Sequence, residues 1–223
     1  FLPVRLKWRA QMVRHLFHLF PENSLLDVGS GSCQWTREIS AANGNRNPIC
    51  AAIFNKEMYE GNQHGSFPEN IERIHLDSFP GKLSERRFDF IVGYQLLTDE
   101  NAGMLLSELK RLLKPGGQIL LFDPNPWNPY YKVRRLVSEL FFKRAKNNQS
   151  YNRIDLLSLL SEIGYIKIKI LPYDFLFPPL PKILLWPMQN LSLILENFPY
   201  VRNFAGSLFI WAQKPAAENW KRP

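Results

Sequence analysis

The chain has 223 residues, 45% hydrophobic and 22% charged, long enough for one domain with a large core and too apolar for a disordered segment. Its two cysteines, Cys33 and Cys50, lack paired spacing, which argues against a disulfide framework or a zinc site, and no run of roughly 18 or more apolar residues marks a membrane span. A net charge of +8 admits RNA, an anionic membrane surface or an acidic substrate as partner, but the densest basic groups, Lys132-Arg134-Arg135 and Lys143-Arg144-Lys146, read as the solvated face of one helix.

Apolar positions at helical spacing predict a leading helix over 4–20. The run 25–28 suits a buried parallel strand, residues 29–32 a tight turn, and 34–42 a helix. A strand over 49–54, a helical piece over 56–63 and strands over 71–76 and 88–94 follow, then a helix over 102–113. Lys114-Pro115-Gly116-Gly117 stops that helix, since proline blocks continuation and glycine allows left-handed backbone. Beyond lie a strand over 118–122, helices over 130–146 and 153–163, a stop at Gly164 and a strand over 165–171. The last strand, 207–213, comes only after a long interruption, 172–206. Alternating strands and helices predict an α/β fold with a parallel sheet covered on both faces.

The stretch Leu25-Leu26-Asp27-Val28-Gly29-Ser30-Gly31-Ser32-Cys33 is the most informative. A strand ending in Asp-x-Gly-x-Gly, followed by a helix N-terminus, builds a ligand cradle. The third glycine of the dinucleotide fingerprint would fall at Gln34, and no phosphate-loop sequence is present. Asp27 would repel a pyrophosphate and meet the ammonium of an amino acid ligand, which favours S-adenosylmethionine.

The chain resembles the class I S-adenosylmethionine-dependent methyltransferases, the group that modifies small molecules, lipids and glycans. The resemblance rests on LLDVGSGSC, Asp77 after the third strand, Arg87-Phe88-Asp89-Phe90-Ile91-Val92, LKPGGQILLFDP, and the 154–170 segment around Ile163-Gly164-Tyr165. It implies a Rossmann-like sheet of seven strands, mostly parallel, with the last inserted antiparallel beside the sixth. It also implies that Asp27, Gly29, Ser30, Gly31 and Cys33 hold the cofactor, with Tyr94 and Gln95 lining the methionine side. Asp77, with Ser78 beside it, would meet the adenine. The family's ribose-binding acid falls at Ile53, with Phe54 and Asn55 beside it, so no carboxylate is available there, and Cys33 stands where a third glycine is common. Those departures leave a weak, scaffold-like relative as an alternative to an active enzyme.

Methyl transfer needs alignment and exclusion of water, and a base only when the nucleophile starts protonated. His15 and His18, three apart on one helix face, are candidate bases. Asp123 and Tyr130 flank the loop Asp123-Pro124-Asn125-Pro126-Trp127-Asn128-Pro129-Tyr130-Tyr131, a candidate substrate wall after the fifth strand. Asn125-Pro126 sits after the wrong strand for the amino-group DNA methyltransferases, so a DNA base is rejected as target. The interruption carries an apolar segment over 183–198 that must cover a site, a second subunit or a lipid boundary.

The chain therefore divides into a cofactor-covering helix (1–22), a cofactor-binding core (23–171), a helical lid or interface (172–206), a final strand (207–214) and a tail (215–223). The expected reaction is methyl transfer to an oxygen or nitrogen of a small, hydrophobic or lipid-linked acceptor, with RNA as the rival substrate and no metal. A reducing cytoplasm, a peripheral membrane contact and a homodimer through 172–206 complete the expectation; the first residues, Phe1-Leu2-Pro3-Val4-Arg5, lack signal-peptide order.

Overall fold

The computed structural model describes residues 2–61, 67–77, 80–83, 86–97, 101–129, 151–174, 198 and 200–216. The expected helix over 130–146, most of 172–206, Ser78, Tyr130 and the end of the tail lie outside them. The described elements are α1 (Leu2–Phe17), β1 (Leu25–Val28), α2 (Gln34–Ala42), β2 (Ile49–Ile53), α3 (Lys56–Gly61), β3 (Ile71–His75), β4 (Phe88–Tyr94) and α4 (Ala102–Leu112), then β5 (Leu113–Pro124), α5 (Arg153–Ile163), β6 (Ile166–Tyr173) and β7 (Ser207–Gln213).

The strands form one sheet in the order β3-β2-β1-β4-β5-β7-β6. β1 to β5 pair in parallel, and β7 runs antiparallel between β5 and β6, as the resemblance implies. β1 and β2 are buried at every residue because each has a strand on both sides and helices on both faces. On one face α4 and α5 bring Leu106, Leu109, Leu156 and Leu160 against Ile91, Ile119, Leu121 and Ile210. On the other, α1 and α2 bring Leu6, Val13, Phe17 and Ile39 against Leu25, Phe90, Val92 and Phe122.

Several boundaries differ from expectation, and two of them carry structural information. α1 stops at Phe17, because His18 takes a left-handed φ of 45°. β5 starts at Leu113 rather than at residue 118: Leu113 pairs with Phe88 and Gln118 with Phe90, so Lys114–Gly117 forms a wide bulge inside the strand. Gly116 has φ 78°, and a Cβ on Gly117 would lie 2.9 Å from the carbonyl oxygens of both Asp89 and Lys114, so the motif requires glycine at both places. The helix ends where proline and glycine predict, but the residues that end it already belong to the sheet.

Candidate active site

The parallel strands end together at one edge, where open α/β sheets bind their ligands. β1 delivers Asp27 there, fully buried on the α1/α2 face. Thr36 Oγ1, from the first turn of α2, donates to Asp27 Oδ2 at 2.5 Å, while Oδ1 has no partner. Burial pushes the Asp27 carboxyl up to about 7, against the pull of the Thr36 hydroxyl.

The turn after β1 is built on left-handed residues: Gly29 at φ 72°, Gly31 at 50° and Cys33 at 55°. The backbone N–H groups of Gly29 and Ser30 donate to the Ala52 carbonyl at 3.0 and 3.1 Å, and the Ser30 hydroxyl donates to the same oxygen at 3.2 Å. These bonds lock the turn onto β2. A Cβ on Gly29 would lie 2.6 Å from Leu96 Cδ2, so glycine here serves both conformation and close approach. No side chain caps α2 at Cys33, which leaves the positive end of its dipole facing the turn.

The next tips are less committed to polar ligands. Ile53 is buried and Phe54 exposed. Asn55 spends Oδ1 on the Met58 N–H at 2.9 Å, capping α3. Asp77 is 91% exposed after β3, with Oδ1 3.5 Å from His75 Nδ1. Gln95 follows β4 at φ 53° and is held by its N–H to the Phe122 carbonyl at 2.8 Å.

At the end of β5, Asp123 faces the side opposite to Phe122. Its Oδ1 accepts from the Leu97 N–H at 2.9 Å, and Oδ2 has no partner. Burial pushes this carboxyl up to about 7 as well, against the backbone N–H groups of Leu97 and Leu96 and the Arg9 charge. The loop beyond is tied down: Asn125 Nδ2 donates to the Asn203 and Ala205 carbonyls, both at 2.8 Å, and Asn128 Nδ2 to that of Phe204 at 2.7 Å. Trp127 stands 53% exposed on this loop.

The structure thus gathers Asp27, Gly29, Ser30, Gly31, Cys33, Ile53, Phe54, Asn55, Tyr94, Gln95 and Asp123 at one sheet edge. His15 and His18 are exposed around the C-terminal end of α1, on either side of Phe17 in sequence, whose ring stacks on Phe90 at 4.4 Å. Sequence reasoning missed the opposite end of that helix. There Arg5 and Arg9 are buried against Asp174, just past β6, and Ser207, at the start of β7. The signal was legible: Arg9 occupies an apolar-stripe position between Leu6, Ala10 and Val13.

The residues fit the cofactor at its methionine end, where an orphaned buried carboxylate oxygen sits beside a glycine turn. They fit less well at its ribose, where no carboxylate stands. Among the described residues no helix is long and apolar enough to cross a membrane, and no cluster of metal-ligating side chains occurs.

The sequence matches the ubiE/COQ5 methyltransferase family over residues 2–142. A demethylmenaquinone methyltransferase of Staphylococcus haemolyticus is 26% identical over 185 residues, 73% of this chain and 76% of that protein. One of the same name from Staphylococcus epidermidis is 31% identical over 139 residues, 61% of this chain, which spans 56% of that relative's length. In fold, the crystal structure of an S-adenosylmethionine-dependent methyltransferase from Archaeoglobus fulgidus is similar with a TM-score of 0.60 at 16% identity, covering 94% of each chain. With an Asp-x-Gly-x-Gly cradle at the first strand tip and a 3-2-1-4-5-7-6 sheet beneath it, the chain belongs to the ubiE/COQ5 methyltransferase family and is an S-adenosylmethionine-dependent methyltransferase.

Proposed function

We propose that the chain methylates a small hydrophobic hydroxylated ring of the naphthoquinol kind, the reduced ring type related to the demethylmenaquinone for which its relatives are named. The observation that carries the reading is Asp27: a fully buried carboxyl with one oxygen unpartnered, beside two left-handed glycines. A group in that state costs folding energy and is kept for a ligand. Asp27 Oδ1 would accept from the methionine ammonium, and Gly29, Ser30, Gly31 and Cys33 would bring backbone close to it. Tyr94 and Gln95 would line the methionine side, Ile53, Phe54 and Asn55 would pack the ribose, and Asp77 with Ser78 would meet the adenine. Bound there, the cofactor supplies an electrophilic methyl group on a sulfonium.

The chain's own work is alignment, exclusion of water and management of one proton. Asp123 is the proposed acceptor of a ring hydroxyl proton: its pKa of about 7 leaves it part ionised near neutral pH, and its Oδ2 is uncommitted. Tying of α1 to the strand tips through Arg5 and Arg9 supports residues 1–22 as a cover. The apolar composition of 183–198 supports 172–206 as a lid or a dimer contact. RNA has only the net charge in its favour.

The receiving atom is proposed to be the ring oxygen, or the ring carbon that an adjacent oxyanion makes nucleophilic. Incubation with methyl-labelled cofactor and 1,4-dihydroxynaphthalene tests the reading, and NMR of the product locates the methyl group. A labelled naphthol product is expected; its absence from a protein that binds S-adenosylhomocysteine would remove the acceptor class.

A further inference from the structure

Arg9 is 1% exposed, and its guanidinium lies 4.6 Å from the ring centroid of Tyr94 and 4.8 Å from that of Phe122, neighbours across β4 and β5. Its Nη2 donates to Ser207 Oγ at 2.8 Å and reaches Asp174 at 3.4 Å, while Arg5 Nε donates to the same carboxylate at 2.6 Å. Two buried guanidiniums therefore share one carboxylate, and Arg9 Nε has no acceptor. Trp35, 5% exposed in the first turn of α2, meets the same Phe122 ring edge-on at 5.9 Å, and its Nε1 has no acceptor either. A buried N–H left unpaired is costly, and these two belong to side chains that both contact the Phe122 ring.

We propose that Arg9 Nε and Trp35 Nε1 form a receptor for an anionic oxygen of the acceptor, holding the ring hydroxyl of the naphthoquinol as its oxyanion. The inference rests on the acceptor reading above. Its placement follows from strand order. The glycine turn follows β1, whereas Arg9 lies over β4 and β5 and reaches Ser207 on β7. At roughly 4.8 Å per strand, that sets the guanidinium about 5–10 Å from the turn, on the side away from β2 and β3. Asp27 answers the ammonium of the methionine; the two donors answer an oxygen beyond it. An oxyanion also balances the second guanidinium, and the proton it loses goes to solvent, since Asp123 lies on the opposite face of β5. Preorganised donors in a dry site stabilise such a charge far more than water-exposed ones. The receptor selects hydroxylated rings over amines, which offer no anionic oxygen.

The test uses the full chain with S-adenosylhomocysteine and 1-naphthol as probe, reading the ionisation of bound naphthol by absorbance across pH. In the unsubstituted protein it ionises at least about tenfold more readily than free naphthol, the scale set by a charge-assisted hydrogen bond. Arg9→Met and Trp35→Phe each lose most of that gain; because Arg9 also ties α1 over the cofactor, S-adenosylhomocysteine affinity is judged on Trp35→Phe, where it falls by less than about tenfold. Arg9→Lys keeps the charge and retains part of the gain, and Trp35→Phe carries the test if Arg9→Met does not fold. An unchanged ionisation in both variants overturns the proposal. So does a tenfold or greater loss of S-adenosylhomocysteine affinity in Trp35→Phe, which assigns the donors to the cofactor carboxylate. Failure to methylate 1,4-dihydroxynaphthalene alongside a shifted naphthol ionisation overturns the acceptor reading alone; methylation with no shift overturns the receptor alone.

Discussion

Asp27 and Asp123 look alike by burial and differ in what holds them. Each is buried on the strand-tip edge, each keeps one oxygen bonded and one without a partner, and burial pushes both up to about 7. Asp27 is held by a side chain, Thr36 from α2, on the α1 face. Asp123 is held by a backbone N–H, that of Leu97, on the α4 face, so it also fixes the turn after β4. The same electrostatic state can therefore serve two tasks: in the proposed reading the free oxygen of Asp27 takes a cation, and that of Asp123 a proton.

Replacing Asp123 by Asn separates the two most sharply. The amide oxygen can still accept from Leu97, so S-adenosylhomocysteine affinity should hold while kcat falls on the order of 100-fold, the usual share of a general base. Equal loss in both would make Asp123 a mere anchor. Stability against pH is an independent readout of both carboxyls. Both carboxyls have folded pKa values raised from 3.8 to about 7, so the stability they allow below pH 3.8 is lost as pH rises through 7. The Asp27→Asn/Asp123→Asn double variant should unfold less readily than the parent at pH 8 by several kcal/mol, at roughly 1.4 kcal/mol per pKa unit for each group, and match it near pH 4, read by denaturant titration. Glu72 and Asp89 are shifted down and keep the opposite dependence in both proteins, so they cancel in the comparison. The smallest effect belongs to Asn55→Ala, which should cost about 1 kcal/mol of stability through its α3 cap, read by denaturant titration.

Much of this was legible in the sequence where the signal is local. β1, β4 and β7 have the bounds that their apolar runs predict, and the α/β alternation fixes the parallel half of the sheet. Gly29 and Gly31 announce their left-handed backbone because few other residues tolerate it. What was not legible depends on the fold. The bulge in LKPGG needs the partner strand, since Leu113 joins β5 only by pairing with Phe88. Asn55 offered an oxygen, but only the structure shows it spent on a helix cap. The two ends of α1 carry polar residues of equal apparent promise; which end meets the strand tips is a packing fact, and it brings Arg5 and Arg9 there rather than His15 and His18.

The most direct measurement is calorimetric titration of S-adenosylhomocysteine into the parent chain and Asp27→Asn. A buried carboxylate facing the ligand ammonium predicts binding to the parent that strengthens as pH rises through about 7, as Asp27 ionises. It predicts affinity about 10- to 100-fold weaker in the variant at pH 8, the range for one charge-assisted hydrogen bond. Equal affinity in the two proteins, with no dependence on pH between 6 and 8, would contradict the account.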